Sequence, residues 1–194
     1  MWRRWGDDEI AAATVGDPQP YGVRVVVEGY NPVWPDWYAE EEAAIRAALG
    51  DVALRIEHTG STSVPGLAAK ALIDILLLVP EAADEAAYLP ALEAAGYALR
   101  IRQPGWYQHR CLVRRVGAGA PWDVNLHVLS PESGAPEIER ILAFRDWLRT
   151  HDDDRVYYER TKRELAQREW KFVQHYANAK STVIEEILGR ALSG

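Results

Sequence analysis

Asp74 stands in the middle of an apolar run, Leu72-Ile73-Asp74-Ile75-Leu76. A carboxylate buried there costs several kcal/mol unless it is paired, hydrogen-bonded or bound to a metal. It reads either as a structural group satisfied by backbone or one Arg, or as a metal ligand or general base at a cleft. The preceding turn, Thr59-Gly60-Ser61-Thr62-Ser63-Val64-Pro65-Gly66, favours the second reading. Gly60 permits close backbone approach, and Ser61, Thr62 and Ser63 add hydroxyl and N–H donors of the kind that hold phosphate oxygens. The turn is not a P-loop, because Leu67 follows Gly66 where a Lys is required.

A third element is Trp122-Asp123-Val124-Asn125-Leu126-His127-Val128. Strand parity sets Asp123, Asn125 and His127 on one face and Trp122, Val124, Leu126 and Val128 on the other. If this strand neighbours that of Asp74, His127 and Asp74 share one cleft; otherwise it is an edge strand with a wet outer face. His58 falls on the apolar parity of its own strand and reads as a core histidine. Lys70 either holds an anion or snorkels. Arg145, Lys162 and Lys180 are phosphate contacts or members of solvated helix faces. His151 and Asp152 to Asp154 read as a helix junction and N-cap.

Positioning these groups requires a set of elements. Val23 to Val27 reads as a strand, and about Asp36 to Leu49 as a helix closed by Gly50, with Glu40, Glu41 and Glu42 in its acid-favouring first half. Residues 52–58 alternate as a strand, and Ala71 to Val79, apolar on both faces, reads as a central strand covered on two sides. Ala82 to Ala95 is a helix pattern broken near Pro90. Tyr97 to Arg102 and Tyr107 to Val116 form strands joined at Gln103-Pro104-Gly105, and Trp122 to Leu129 is another. Helices are expected at about 136–150, 153–169, 171–178 and 182–192, with Thr182 and Glu185 spaced as a capping box. Strands first and a helical C-terminal third make an α+β architecture. Residues 1–20 are expected as a loosely attached arm and 21–194 as one domain, since 194 residues suit a single core.

Composition narrows the partners. The net charge of −7 excludes a long nucleic acid as a bulk partner. That charge is uneven: residues 1–52 hold ten acids and four bases, whereas 98–122 hold Arg100, Arg102, Arg110, Arg114 and Arg115 and no acid. The arginine patch suits a small anionic ligand, or else its stems cover an apolar sheet. No apolar run approaches the ~20 residues that span a bilayer, and the N-terminus lacks a signal-peptide stretch, so no membrane partner is expected. Cys111 is the single cysteine, which excludes an intramolecular disulfide and a zinc–thiolate site and makes a cytoplasmic location the default.

Taken together, these stretches resemble the GrpB-like family, whose proteins carry the nucleotidyltransferase (DNA-polymerase-beta-like) fold. The likeness rests on Tyr30-Asn31-Pro32-Val33-Trp34-Pro35, Ile56 to Leu67, Lys70-Ala71-Leu72-Ile73-Asp74-Ile75, Val124 to Val128, Phe144 to Arg149 and Tyr176 to Lys180. The resemblance implies a mixed β-sheet with flanking helices. It also implies a Gly-Ser turn, then an Asp-x-Asp pair, then a third carboxylate on a later strand. Gly60-Ser61 and Asp74 match, but Leu76 stands where the second carboxylate belongs, and the third is Asp123 or is replaced by Asn125 or His127.

On that resemblance the protein is expected to move a nucleoside monophosphate from a Mg²⁺-bound NTP to a small-molecule acceptor. Gly60, Ser61, Thr62 and Ser63 would cradle the phosphates, and Asp74 would hold Mg²⁺. His127 would be an auxiliary metal ligand or the base. Lys70, Arg110, Lys162 and Lys180 would neutralise the triphosphate. Because two-ion phosphoryl transfer needs several carboxylates, the alternative is a non-catalytic nucleotide- or anion-binding or accessory domain that keeps the fold. A hydrolase triad of His58, Ser61 and Asp74 is disfavoured by the absence of a Gly-x-Ser-x-Gly elbow.

Overall fold

The alternation of the strand segments closes them into one five-stranded mixed sheet. The structure, a computed structural model, describes residues 6–16 and 25–193. The strands are β1 (Arg55–Thr59), β2 (Leu72–Leu78), β3 (Ala98–Gln103), β4 (His109–Arg114) and β5 (Asp123–Leu129), in the spatial order β1-β2-β5-β4-β3. β2 and β5 run parallel, and every other pair is antiparallel. Paired residues share a face, so the register divides the sheet cleanly. Ile56, His58, Ile75, Leu126 and Leu112 line one side. Glu57, Thr59, Asp74, Leu76, Asn125, His127 and Cys111 line the other.

Helices cover both sides, which is why β2 is apolar on both faces apart from Asp74. On the first, α2 (Trp34–Leu49) and α3 (Leu89–Ala94) bury Trp34, Ile45 and Leu92 against Ile73, Ile75, Leu77, Val124, Leu126 and Val128. Pro90 falls in the first turn of α3, where its missing N–H has no intrahelical partner to lose. The second side is covered by α4 (Ala135–Thr150), α5 (Asp152–Ala166), α6 (Val173–Ala179) and α7 (Ser181–Ala191). The apolar faces of α4, α5 and α7 meet around Leu148, Tyr158, Val183 and Ile187, and α6 packs Tyr176 against Leu165 of α5. The α4–α5 junction lies at His151, as its sequence predicts.

Several expectations are corrected. Of the strand expected at Val23 to Val27, residues 23 and 24 lie outside the described residues; 25–27 form no strand, and only Glu28 pairs, with Ala69. The described part of the N-terminal arm is docked through α1 (Asp7–Ala13), which buries Ile10, and Thr14 bridges to Ile101 on the edge of β3. Its short apolar turn gave no pattern long enough to read. Glu41, in the acid-favouring first half of α2, is buried and accepts from Arg114 (2.7 Å), Trp122 Nε1 (2.9 Å) and the Tyr97 hydroxyl, tying α2 to β4 and to the residues that directly precede β3 and β5. α7 begins at Ser181 after Lys180 with no side-chain cap, so the spacing of Thr182 and Glu185 does not mark its start. Among the described residues no helix is long and apolar enough to cross a membrane.

Candidate functional site

The Gly60 turn is the first wall of the site. Gly60 adopts φ 65°, ψ −171°, a conformation open essentially to glycine alone. A Cβ there would overlap Oδ2 of Asp74 and lie 2.8 Å from its Cβ, so the missing side chain lets the carboxylate press against the turn. Two of the three expected hydroxyls are used inward. Ser63 Oγ donates to Gly60 O (2.7 Å), while Thr62 Oγ1 donates to Leu72 O (3.1 Å) and faces His58 Nε2 at 3.0 Å. Both residues are buried, leaving Ser61, half-buried and in reach of the Tyr158 phenol, as the hydroxyl available to a ligand. His58 is the core histidine its parity predicts: it stacks on Tyr38 at 4.7 Å, and burial draws its pKa down to about 4.

Asp74 and His127 are brought together as the conditional reading required, because β2 and β5 are neighbours. Asp74 pairs with Asn125, whose Nδ2 donates to Asp74 Oδ1 at 2.9 Å. His127 Nε2 lies 3.8 Å from the same oxygen, an ion-pair distance too long for a hydrogen bond. The two side chains are 26% and 32% exposed, so the pair is open to water. Burial raises the pKa of Asp74, but His127, Asn125 and Lys70 outweigh it and hold the carboxyl below its usual range. Burial likewise opposes the His127 cation, and the adjoining Cys111 and Asp74 outweigh it, holding that imidazolium above its ordinary value.

Behind His127 runs a chain of polar contacts on the same sheet face. His127 Nδ1 meets His109 Nε2 at 3.0 Å, and His109 Nδ1 meets Gln103 Oε1 at 2.7 Å. His109 and Gln103 are buried. Burial, with the positive neighbours His127 and Arg110, holds His109 well below the usual histidine range.

The expected cations divide. Lys70 lies among Asp74, Lys180, Arg115 and Asp123; burial lowers its pKa, Asp74 opposes that, and Lys180 and Arg115 lower it further. Arg115 was not singled out as a site residue. Its Nη2 donates to Asn125 Oδ1 at 2.6 Å, and its Nη1 donates to Val124 O. Lys180 sits over the Tyr176 ring, Nζ 4.7 Å from the centroid. Lys162 is buried, donates to Ala68 O and lies over Tyr158. Arg110 is on the opposite face, paired with Val128 in register and bound to Glu85 at 2.5 Å, so it is not brought to this site. Arg145 is a clamp on the edge strand, bound to Glu57 (2.6 Å), Asp146 (2.8 Å) and His58 O (3.0 Å). Asp123 accepts from the Val116 amide at 2.9 Å, closing the loop before β5.

The model of the GrpB protein family matches residues 24–190, nearly the full described domain. The chain belongs to the GrpB family. It is 51% identical over 185 residues to a UPF0157 protein of Halalkalibacterium halodurans, covering 95% of this chain and 91% of that one. The crystal structure of conserved protein GrpB from Enterococcus faecalis has the same fold, with a TM-score of 0.75, 32% identity, and 87% and 98% of the two chains covered. More distantly, 82% of the chain aligns at 30% identity with 45% of a dephospho-CoA kinase from Mycolicibacterium paratuberculosis.

In this GrpB protein the donor set does not fit the two-ion centre that the wider superfamily resemblance implies. Among the described residues no group of three or more His, Cys, Asp or Glu side chains could hold a metal ion. Both ends of the Asn125 amide are engaged. Position 76, directly beside His127 in register, is filled by a fully buried Leu packed with Leu78, Leu129 and Ile138 beneath α4. One carboxylate and one imidazole remain.

His109, Gln103, Arg115 and Tyr158 are the site residues that pattern reasoning missed. The turn signal at Pro104-Gly105 marks the hairpin but not its loop length; β3 ends at Gln103 and β4 starts at His109, and that longer loop sets Gln103 opposite His109. Arg115 lay in the acid-free stretch, inside the strand expected over Tyr107 to Val116, whereas β4 ends at Arg114. Tyr158 reaches the site from a helix remote in sequence, and no local signal marks it.

Proposed function

We propose that this GrpB protein binds a phosphate-bearing small molecule, a nucleotide by its superfamily resemblance, without two-ion nucleotidyl transfer. The observation that carries the reading is the set of like charges at the site. Lys180 and Arg115 each stand within electrostatic range of Lys70, which also faces the Asp74 carboxylate set against the glycine turn. Cations held together repel, and an anion placed among them relieves that repulsion. Ser61 would supply a hydroxyl to the phosphate, the Gly60 turn would let the ligand approach backbone, and the His127 imidazolium would donate to it. Asp74 keeps that imidazole charged. The dry packing of Leu76 and the single carboxylate support binding over transfer. The alignment with under half of a dephospho-CoA kinase also suits a module that sits beside a catalytic unit.

The test is calorimetry with ATP, GTP, CTP and UTP, with and without Mg²⁺. Binding that persists without Mg²⁺ and weakens by about tenfold, the worth of one charge contact, in Lys70→Met is expected. Absence of binding by every nucleotide sinks the proposal. Nucleotidyl transfer to a small acceptor is the second reading, favoured by the fit of Asp74 against the glycine turn. Release of pyrophosphate from Mg²⁺-NTP with candidate acceptors, abolished in Asp74→Asn, would establish it.

A further inference from the structure

Four side chains from four adjacent strands form one line across the site face: Gln103 on β3, His109 on β4, His127 on β5 and Asp74 on β2. We propose that Gln103 and His109 are positioning residues that fix the proton of His127 on Nδ1, so that Nε2 is the one nitrogen His127 presents to a ligand.

The assignment follows from what each atom is able to do. An amide oxygen only accepts, so the 2.7 Å contact to Gln103 Oε1 places a proton on His109 Nδ1. Between His109 Nε2 and His127 Nδ1, 3.0 Å apart, there is room for one proton. Were it on His109, that ring would be a cation in the more buried place, against an amide. Were it on His127, His109 is neutral, and any positive charge sits on the half-exposed ring facing the Asp74 carboxylate. Desolvation favours the second arrangement. His127 then donates through Nδ1, and its Nε2 faces Asp74 and solvent. When His127 is the imidazolium, Nε2 carries a proton as well and donates toward Asp74 or a ligand; the contact to His109 keeps Nδ1 protonated in either charge state.

The hairpin between β3 and β4 is shaped to supply them. Tyr107 and Gln108 both hold left-handed backbone, φ 53° and 52°, which non-glycine residues adopt at a cost. Trp106 O accepts from the His109 amide (3.0 Å), and the Trp106 ring lies edge-on to the His109 imidazole at 5.2 Å. Tyr107 packs into the cluster around Leu76. The turn thereby holds Gln103 opposite His109 and fixes the plane of the ring. Beyond Asp74 the network continues through Asn125 to Arg115 (2.9 and 2.6 Å), so both ends are anchored.

The inference rests on the reading that His127 meets the ligand, and its test is made without one. Long-range ¹H–¹⁵N spectra of the histidine rings are recorded on the full chain, for wild type, Gln103→Leu and Gln103→Glu. In wild type, His109 is expected to be neutral with its proton on Nδ1, and His127 to carry a proton on Nδ1. Gln103→Glu keeps an acceptor and so keeps the proton on His109 Nδ1. Gln103→Leu removes it, and His109 shifts to the Nε2–H form with a matching change at His127 Nδ1. A packing role alone would leave the tautomers of the glutamate and leucine variants alike. His109 protonated on Nε2 in wild type, or tautomers unchanged in Gln103→Leu, overturns the proposal. If the leucine variant does not fold, the wild-type spectrum decides. Failure of every nucleotide to bind would refute the proposed function and leave the proton placement standing.

Discussion

Gly60 and Asp74 are fitted to each other: the site where a Cβ of residue 60 would stand is filled by the Asp74 carboxylate. Gly60→Ala therefore meets a clash with a group that is itself held by Asn125, and it meets positive φ as well. A loss of about 3 kcal/mol in unfolding free energy is expected from overpacking and backbone strain together. Gly105→Ala, with nothing within 4 Å of its Cβ and no positive φ, should leave stability unchanged. Urea denaturation of both variants checks the contrast; equal losses would show that the fit at Gly60 is loose.

His127 makes stability depend on alkaline pH. Burial lowers its pKa, but Cys111 and Asp74 raise it to about 10 in the fold. An unfolded histidine titrates near 6.5. A folded value above the unfolded one adds stability below about pH 6.5, and that contribution is lost as pH rises toward 10. His127→Gln should therefore lie furthest below wild type in slightly acid solution and approach it in base. Denaturation curves across that range read the difference, and a gap that widens with pH would contradict the assigned charge.

His58 acts with the opposite sign. Burial beside Tyr38, opposed by Asp74 and aided by Arg149 and Arg145, sets its folded pKa near 4. The unfolded chain takes up this proton below about pH 6.5, whereas the fold refuses it until about pH 4. Stability should fall by up to about 3 kcal/mol across that window as pH drops. In His58→Phe, which keeps the stacked ring, that slope should vanish. The C2 proton of His58 should show no titration shift near neutrality by NMR.

Restoring the missing carboxylate should not restore a metal centre. Leu76 is fully buried with Leu78, Leu129 and Ile138, so Leu76→Asp would place a carboxylate in a dry cluster. A loss of about 3–5 kcal/mol is expected. Leu76→Met, nearly equal in volume, should cost under about 1.5 kcal/mol. Calorimetry with Mg²⁺ and Mn²⁺ should find no binding gained in Leu76→Asp; a newly acquired site would show that α4 moves aside readily.

Local pattern was enough for the strands that alternate and for the residues whose burial is anomalous. Period-two alternation placed β1, β2 and β5 within a few residues and set Asp123, Asn125 and His127 on one face. Asp74 stood out because a carboxylate in an apolar strand needs a reason. Gly60 stood out because serines crowded beside a glycine imply a tight turn. What alternation does not encode is partnership between strands. A strand's parity says which residues share its face, but register and neighbour order say what they face. Asp74 and His127 were joined only by the parallel pairing of β2 with β5.

The same gap explains the cations. Arg110 and Lys162 were plausible by charge and composition, yet parity turned Arg110 to the far face and helix packing buried Lys162 against Ala68 O. Arg115, past the end of its strand, was carried to Asn125 by backbone direction instead. Sequence by itself determined the α+β class, the family, the glycine turn and the one carboxylate set within an apolar strand, because each is written in local side-chain type and spacing. Tertiary structure alone decided which charges meet: long flexible side chains take their partners from elements far apart in the chain, and only the packed sheet and its helical cover bring those elements within a few ångströms.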